Sequence, residues 1–196
     1  NGKTIRVKDS YPFEIELPQR MERRGVQKRA TKKKVRLRFT KKGEMRFLSH
    51  LELAHLFYRA SKRAGLPLCH SEGFHPMPRI IFATALPVGV ESLMEIVDME
   101  LEGRIIPLEV MERLHPTLPG GIEIVEAEEV PLSSSPPSFL LDRSVYWIPL
   151  DHLISREEAI TRVSRALEKR ELLLQQERKG KRRTVEVRSL IHKMEV

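Results

Sequence analysis

The stretch VRLRFTKKGEMRFLSHLELAHLFYRASKRAG, residues 35–65, decides the fold of this chain. Its first five residues alternate between apolar side chains and arginines, which is typical of a strand with one buried face. Ser49 and Glu52 have the spacing of a capping box, and apolar residues then recur at helical intervals up to Gly65. The stretch therefore predicts a strand followed by an amphipathic helix.

The sequence that follows predicts a β-α-β-β-α-β order over residues 35–130. Further strands are expected at residues 80–86, 95–101 and 122–130, and a short helix at residues 107–114. This order is that of the split βαβ, or ferredoxin-like, arrangement.

The remainder of the chain predicts a linker and a second unit. Residues 131–142 contain the run PLSSSPPS and are predicted to be a linker. Residues 143–196 predict a strand at 144–150, a helix capped by Ser155, and a hairpin around RKGKR. We therefore expect an α+β protein with tandem ferredoxin-like units, the second one incomplete. Residues 1–34 have many cations, and residues 21–34 have no apolar period, which predicts a partly disordered basic arm or tether with at most an isolated strand at residues 11–18.

Composition favours a folded cytoplasmic protein. Of the 196 residues, 40% are hydrophobic, and no run has the length of a membrane span. Cys69 is the only cysteine, which excludes an internal disulfide and a self-contained thiolate metal site and suggests a reducing compartment. His50 and His55 point to different faces of the predicted helix, so no metal site is expected.

Charge is segregated along the chain. The net charge is +8, yet residues 91–142 carry 2 Lys/Arg against 12 Asp/Glu between basic segments. Such a distribution favours a basic surface for polyanions and an acidic surface, residues 91–129, for a partner protein. The alternative is that the blocks neutralise each other within the fold.

Residues 69–79, CHSEGFHPMPR, form the best candidate for a recognition loop. Two prolines stiffen this loop and Gly73 permits a tight bend, so Phe74 could be held outward for stacking on a base. The alternative is a stiff connection with Phe74 in the core. The residues predicted to contact RNA in the first unit are Arg46 and His50, near the start of the predicted helix, and His70, Phe74, His75 and Arg79 in the loop.

The hairpin tip RKGKRR, residues 178–183, contains five cations that suit a phosphate backbone. The predicted phosphate contacts are Lys179, Lys181, Arg182 and Arg183. The open face of the first sheet is not expected to stack bases, because Arg36 and Arg38 of the first strand are predicted to pair with Asp98 and Glu100 of the third strand. That face is expected to receive the second unit instead.

Three segments, RFLSHLEL, GFHPMPRI and LPVGVES, occur in this order and resemble the radical-SAM-linked domain family of unknown function. The resemblance covers roughly residues 34–130. Members of that family are fused to, or encoded beside, a B12-binding-type radical SAM protein. The resemblance therefore implies such a protein as partner, with the iron–sulfur cluster and S-adenosylmethionine bound there and no cofactor bound by this chain.

Together these features predict a non-catalytic module that binds RNA or a ribonucleoprotein and works with a radical SAM enzyme. Two alternatives stay open. One is a metal-independent endoribonuclease with His50 at its centre, which at the level of fold is similar to the CRISPR repeat-processing enzymes. The other is a protein–protein adaptor for the radical SAM partner.

Overall fold

Two separate units are present in the chain. The computed structural model describes residues 31–150, 153–178 and 180–196. The boundary between the two compact units lies between Arg143 and Ser144. Among the described residues, no helix is both long enough and apolar enough to cross a bilayer.

The first unit has the predicted order of elements. It contains β1 (Lys32–Lys41), α1 (His50–Arg63), β2 (Ile80–Phe82), β3 (Ser92–Glu102), α2 (Pro107–Leu114) and β4 (Ile124–Val130). All neighbouring strands are antiparallel, and their order in the sheet is β2-β3-β1-β4. Strand β2 is shorter than the predicted strand at residues 80–86, because the chain makes one more sheet hydrogen bond, from the Ala83 amide to Ile96, and then turns away.

One face of this sheet carries the core. Val35, Leu37 and Phe39 of β1 are fully buried, as the alternation predicts. Helix α1 packs on them, and the ring centroids of Phe39 and Phe57 are 4.8 Å apart. Phe82 of β2 completes the aromatic cluster, with its ring centroid 5.4 Å from that of Phe57. These contacts fix the two ends of the chain segment between α1 and β2.

Helix α1 begins and ends where the sequence predicts. Both halves of the Ser49–Glu52 capping box are formed. Gly65 has φ +64°, the left-handed conformation that commonly follows a helix end.

The second face of the sheet is covered in part by residues 131–140, which the sequence predicts to be a linker. Arg36 and Asp98 form a bidentate pair there, with distances of 2.7 and 2.9 Å, and both are buried. Lys34 donates to the carbonyl of Leu132 at 2.8 Å, and Pro137 is buried. The predicted pairing of Arg36 is confirmed. Arg38 differs from the expectation, because it pairs with glutamates of β4.

The second unit contains α3 (Arg156–Glu168) and a hairpin of β5 (Leu173–Arg178) and β6 (Lys181–Glu186). The backbone amide of Glu158 donates to the Ser155 hydroxyl, as predicted for the helix start. The predicted strand at residues 144–150 is wrong, since no described strand pairs with this segment. Pro149 also lacks the N–H that a paired strand would use.

Candidate nucleic-acid interface

The Phe74 loop, residues 69–79, projects from the sheet on a closed stem. The Cys69 amide donates to the carbonyl of Glu100 at 2.8 Å, and the Glu100 amide donates to the carbonyl of Arg79 at 3.0 Å. The Arg79 amide donates in turn to the Cys69 carbonyl at 2.8 Å. Both ends of the loop are therefore held on one residue of β3.

The tip of this loop holds an aromatic ring in solvent. Ser71 and Met77 close the bend through two hydrogen bonds, of 2.8 and 2.9 Å. Between them Gly73 has φ +129°, which other residues rarely adopt. Phe74 is fully exposed (102%) and Met77 is 63% exposed. The alternative that Phe74 belongs to the core is therefore wrong.

The base of the loop is structural rather than reactive. Cys69 is buried, and this burial raises the pKa of its thiol above the ordinary value. The Arg79 Nε atom lies 3.6 Å from a carboxylate oxygen of Glu100, and its side chain is about half exposed. The Arg79 cation is thus available at the surface but partly neutralised.

A small aromatic and cationic group lies beside the loop stem. The His70 ring centroid is 6.4 Å from that of Tyr58 on α1, and the Lys62 ammonium lies over the Tyr58 ring at 4.8 Å. His70 is among the residues predicted from the sequence to contact RNA, whereas Tyr58 and Lys62 are not. Their spacing of four residues on a predicted helix was the available signal, because it brings the two side chains together.

Arg46 joins two of the three motifs that carry the family resemblance. Its guanidinium lies 3.1 Å from the Glu91 carboxylate and 4.7 Å from the Phe47 ring centroid. Its carbonyl accepts a hydrogen bond from the Gly89 amide. Hydrogen bonds from Arg46 and then from the Gly43 amide lower the pKa of the Glu91 carboxyl. The segments RFLSHLEL and LPVGVES are therefore in direct contact in the fold.

His50 lies at the first position of α1, exposed, with its ring centroid 5.5 Å from that of Phe82. The helix start already contains an anion, because the Glu52 carboxylate accepts from the Ser49 hydroxyl and amide at 2.7 and 2.8 Å. These hydrogen bonds lower the pKa of Glu52. A phosphate at this point would meet a negative charge, which weakens the reasoning that favoured a ribonuclease.

The candidate residues of the first unit lie along a surface rather than around one point. His50 is at the start of α1, while His70 contacts Tyr58, eight residues further along the helix. At 1.5 Å per residue these positions are about 12 Å apart along the helix axis. His75 lies exposed next to Phe74 at the loop tip. Such spacing suits contact with successive groups of a long ligand.

The second unit presents the basic hairpin. Arg182 and Arg183 on β6 are exposed and, as successive strand residues, point to opposite faces of the two-stranded ribbon. The Arg182 Nε atom is 3.7 Å from a Glu177 carboxylate oxygen. The other two predicted phosphate contacts, Lys179 and the side chain of Lys181, lie outside the described residues, as do residues 1–30 of the predicted basic arm.

Glu186 fixes the base of this hairpin. Its carboxylate accepts hydrogen bonds from the Ser189 hydroxyl at 2.6 Å and from the amides of Leu172, Arg188 and Ser189. The Ser189 hydroxyl contributes most to lowering the pKa of Glu186 to about 2.

Much of the acidic segment is already paired within the first unit. Arg38 contacts Glu126 and Glu128, Lys33 lies 2.6 Å from Glu129, and Asp98 is bound to Arg36. The second sequence interpretation, in which charge blocks neutralise each other in the fold, therefore holds for these residues.

In the described part of the chain, no group of three or more His, Cys, Asp or Glu side chains is arranged to hold a metal ion.

A model of a family of uncharacterized proteins conserved in bacteria, DUF2344, matches residues 34–196. The chain belongs to this family. The DUF2344 match includes both the Phe74 loop and the basic hairpin. A search of curated proteins found no match.

Proposed function

We propose that this DUF2344 protein is a non-catalytic module that recognises RNA or a ribonucleoprotein and works with a radical SAM enzyme. The observation that carries the proposal is the fully exposed Phe74 ring on a loop whose stem is fixed to β3. Aromatic rings that stand in solvent stack on nucleic-acid bases, and the net charge of +8 favours a polyanion.

The two units have separate roles in this proposal. The first unit contributes the Phe74 loop together with the His70, Tyr58 and Lys62 group beside it. The second unit contributes phosphate contacts through Arg182 and Arg183, both exposed on the hairpin. We further assign both units to the ferredoxin-like arrangement. The strand order β2-β3-β1-β4 supports this for the first unit, and α3 with its hairpin supplies part of the second.

The radical SAM partner is proposed from the resemblance of the three motifs. The single cysteine of this chain cannot supply the three thiolates that hold the cluster of a radical SAM enzyme, so cluster and S-adenosylmethionine are assigned to the partner. A reducing, cytoplasmic location belongs to the same proposal. The acidic face toward the partner would use those carboxylates of residues 91–129 that are not paired with cations of the first unit.

Fluorescence anisotropy with structured and single-stranded RNA, over a series of salt concentrations, tests the proposed function. We expect tighter binding than that of a control protein of equal size and net charge. Equal binding by the two proteins contradicts RNA recognition and favours the adaptor. RNA cleavage without metal, lost in His50→Ala, would instead establish a ribonuclease. Co-elution with a B12-binding-type radical SAM protein, with and without RNA, tests the partner.

A further inference from the structure

We infer that the Phe74 loop takes an unpaired nucleobase, with the Phe74 ring as its stacking platform. This inference rests on the proposed RNA recognition and narrows its ligand to single-stranded or looped RNA.

Charge within the loop distinguishes stacking from phosphate binding. From His70 to Pro78 the sequence contains no Lys or Arg, and it contains one acidic residue, Glu72. Arg79, at the end of the stem, is partly neutralised by Glu100 at 3.6 Å. The tip is therefore not built to attract phosphate by charge, and its main contact group is an exposed aromatic ring, with the exposed Met77 in the same bend.

The rigidity of the loop favours a defined contact. The Ser71–Met77 hydrogen bonds close the bend, and Pro76 and Pro78 restrict the backbone between tip and stem. A loop whose backbone is already restricted loses less freedom when a ligand binds, so more of the contact free energy becomes affinity.

The ligand must offer the face of a base. In a double helix the base faces are covered by their neighbours, whereas unpaired bases in loops and single strands stack on aromatic side chains. Cations for the adjoining phosphates are available outside the tip, for example on Lys62, which is exposed beside the loop stem.

The test compares Phe74→Ala with Phe139→Ala, which removes another exposed phenylalanine (81%) of the same unit. Binding is measured by anisotropy with a short single-stranded RNA and with a long duplex of the same sequence. We expect Phe74→Ala to weaken single-strand binding by about 5- to 150-fold, the range for loss of one stacked base. The affinity of Phe74→Ala for the duplex should remain near that of the wild type. Phe139→Ala and Phe74→Tyr should bind the single strand with nearly wild-type affinity.

A fluorescence variant gives an independent readout. The chain has one tryptophan, Trp147, so Phe74→Trp combined with Trp147→Phe places the only indole at the loop tip. Its emission should be quenched by single-stranded RNA and not by inorganic polyphosphate, which has charge but no bases.

Three outcomes would overturn the inference: equal effects of Phe74→Ala and Phe139→Ala, equal loss on single strand and duplex, or quenching by polyphosphate. In each of these three cases the protein still binds RNA through other residues, so the proposed function stands. Failure of the wild-type protein to bind either RNA removes the proposed function itself. An effect of Phe74→Ala on binding the radical SAM protein alone overturns the inference in favour of a protein contact.

Discussion

At the scale of single residues, the stability of the first sheet depends on the buried ion pair of Arg36 and Asp98. Both side chains are buried, at 7% and 2% exposure, so each charge depends on the other. The hydrogen bonds to Asp98 raise the pKa of the Arg36 guanidinium above its ordinary value, which keeps Arg36 charged. The Ser135 carbonyl accepts a further hydrogen bond from Arg36, which connects the pair to the segment after β4.

Removing Asp98 should therefore destabilise the protein strongly. We expect Asp98→Ala to lower the free energy of unfolding by about 3–5 kcal/mol, because it leaves a buried cation without its counter-charge. The matched control is Glu109→Ala, which breaks an exposed pair with Arg113 on α2 and should cost about 0.5 kcal/mol or less. Urea unfolding followed by circular dichroism measures both. Similar losses in the two variants would contradict the account of the buried pair.

The low pKa of Glu186 predicts that the stability of the second unit depends on pH. Its pKa falls from 4.5 to about 2 in the folded state, so the unfolded state binds its proton first as the pH falls. The stabilisation is fully present above pH 4.5 and is lost progressively down to about pH 2. Amide signals of Leu172 and Ser189 in the folded protein, followed by NMR, should report a titration centred at about pH 2. Glu186→Gln should be less stable at neutral pH and should lack this titration; an unchanged profile would contradict the assignment.

The environment of a single residue could be predicted from the sequence where a local pattern determines it. The capping pair Ser49 and Glu52 and the buried face of β1 depend on neighbours in sequence. Lys41 is a residue whose environment the local pattern does not predict, because a lysine next to a turn is expected to be exposed to solvent. It is instead buried, with its ammonium 2.7 Å from the Leu48 carbonyl, and burial lowers its pKa. Nothing in the local sequence indicates that the Leu48 carbonyl faces inward and accepts a hydrogen bond from Lys41.

At the scale of elements, the connection into β4 is a close approach between two chain segments. Gly121 has φ +93°, and a Cβ atom there would lie 2.4 Å from the carbonyl oxygen of Lys42. The Lys42 amide also donates to the Gly121 carbonyl at 2.9 Å. The end of β1 and the start of β4 are thus held together by backbone contact.

Gly121→Ala should destabilise the protein by more than about 1 kcal/mol, because the added methyl group meets backbone and the φ angle is strained. Its neighbour provides the control: a Cβ atom on Gly120 would have nothing within 4 Å. Gly120→Ala should change the free energy of unfolding by less than about 0.5 kcal/mol. Thermal unfolding by circular dichroism compares the two variants, and equal melting temperatures would contradict the predicted clash.

Elements were predictable where hydrophobic period and turn residues agree, as in α1 and the order β-α-β-β-α-β. The segment at residues 144–150 has a clear strand pattern but forms no strand, because a strand also needs a partner that local sequence does not specify. For the candidate site, the sequence indicated the Phe74 loop but left open whether the Phe74 ring lies in solvent or in the core. It missed Tyr58 and Lys62, which join the loop stem only through the packing of α1.

At the scale of the whole molecule, charge is used in two ways. Within the first unit, many acidic side chains of residues 91–129 are paired with Lys and Arg of β1. The second unit keeps exposed cations on the hairpin, with the Arg182 side chain 83% exposed although its Nε atom lies 3.7 Å from a Glu177 carboxylate oxygen. An excess of exposed cations there is what contact with a phosphate backbone requires.

The account therefore predicts how salt affects RNA binding. Arg182→Ala combined with Arg183→Ala should reduce the slope of log affinity against log salt by about 1.4 on single-stranded RNA, two phosphate contacts at about 0.7 each. Arg113→Ala combined with Arg162→Ala removes the same charge from cations paired at i,i+4 positions on helices. That control should leave the slope nearly unchanged, and equal slopes for both double variants would mean that only net charge matters.

The most direct test of the central claim is an NMR titration of the ¹⁵N-labelled protein with a short single-stranded RNA. The account predicts that the amides of Gly73, Phe74, His75 and Met77 shift at the lowest RNA concentrations, together with those of Arg182 and Arg183. Unchanged signals from the Phe74 loop while other regions shift, or no shifts at all, would contradict it.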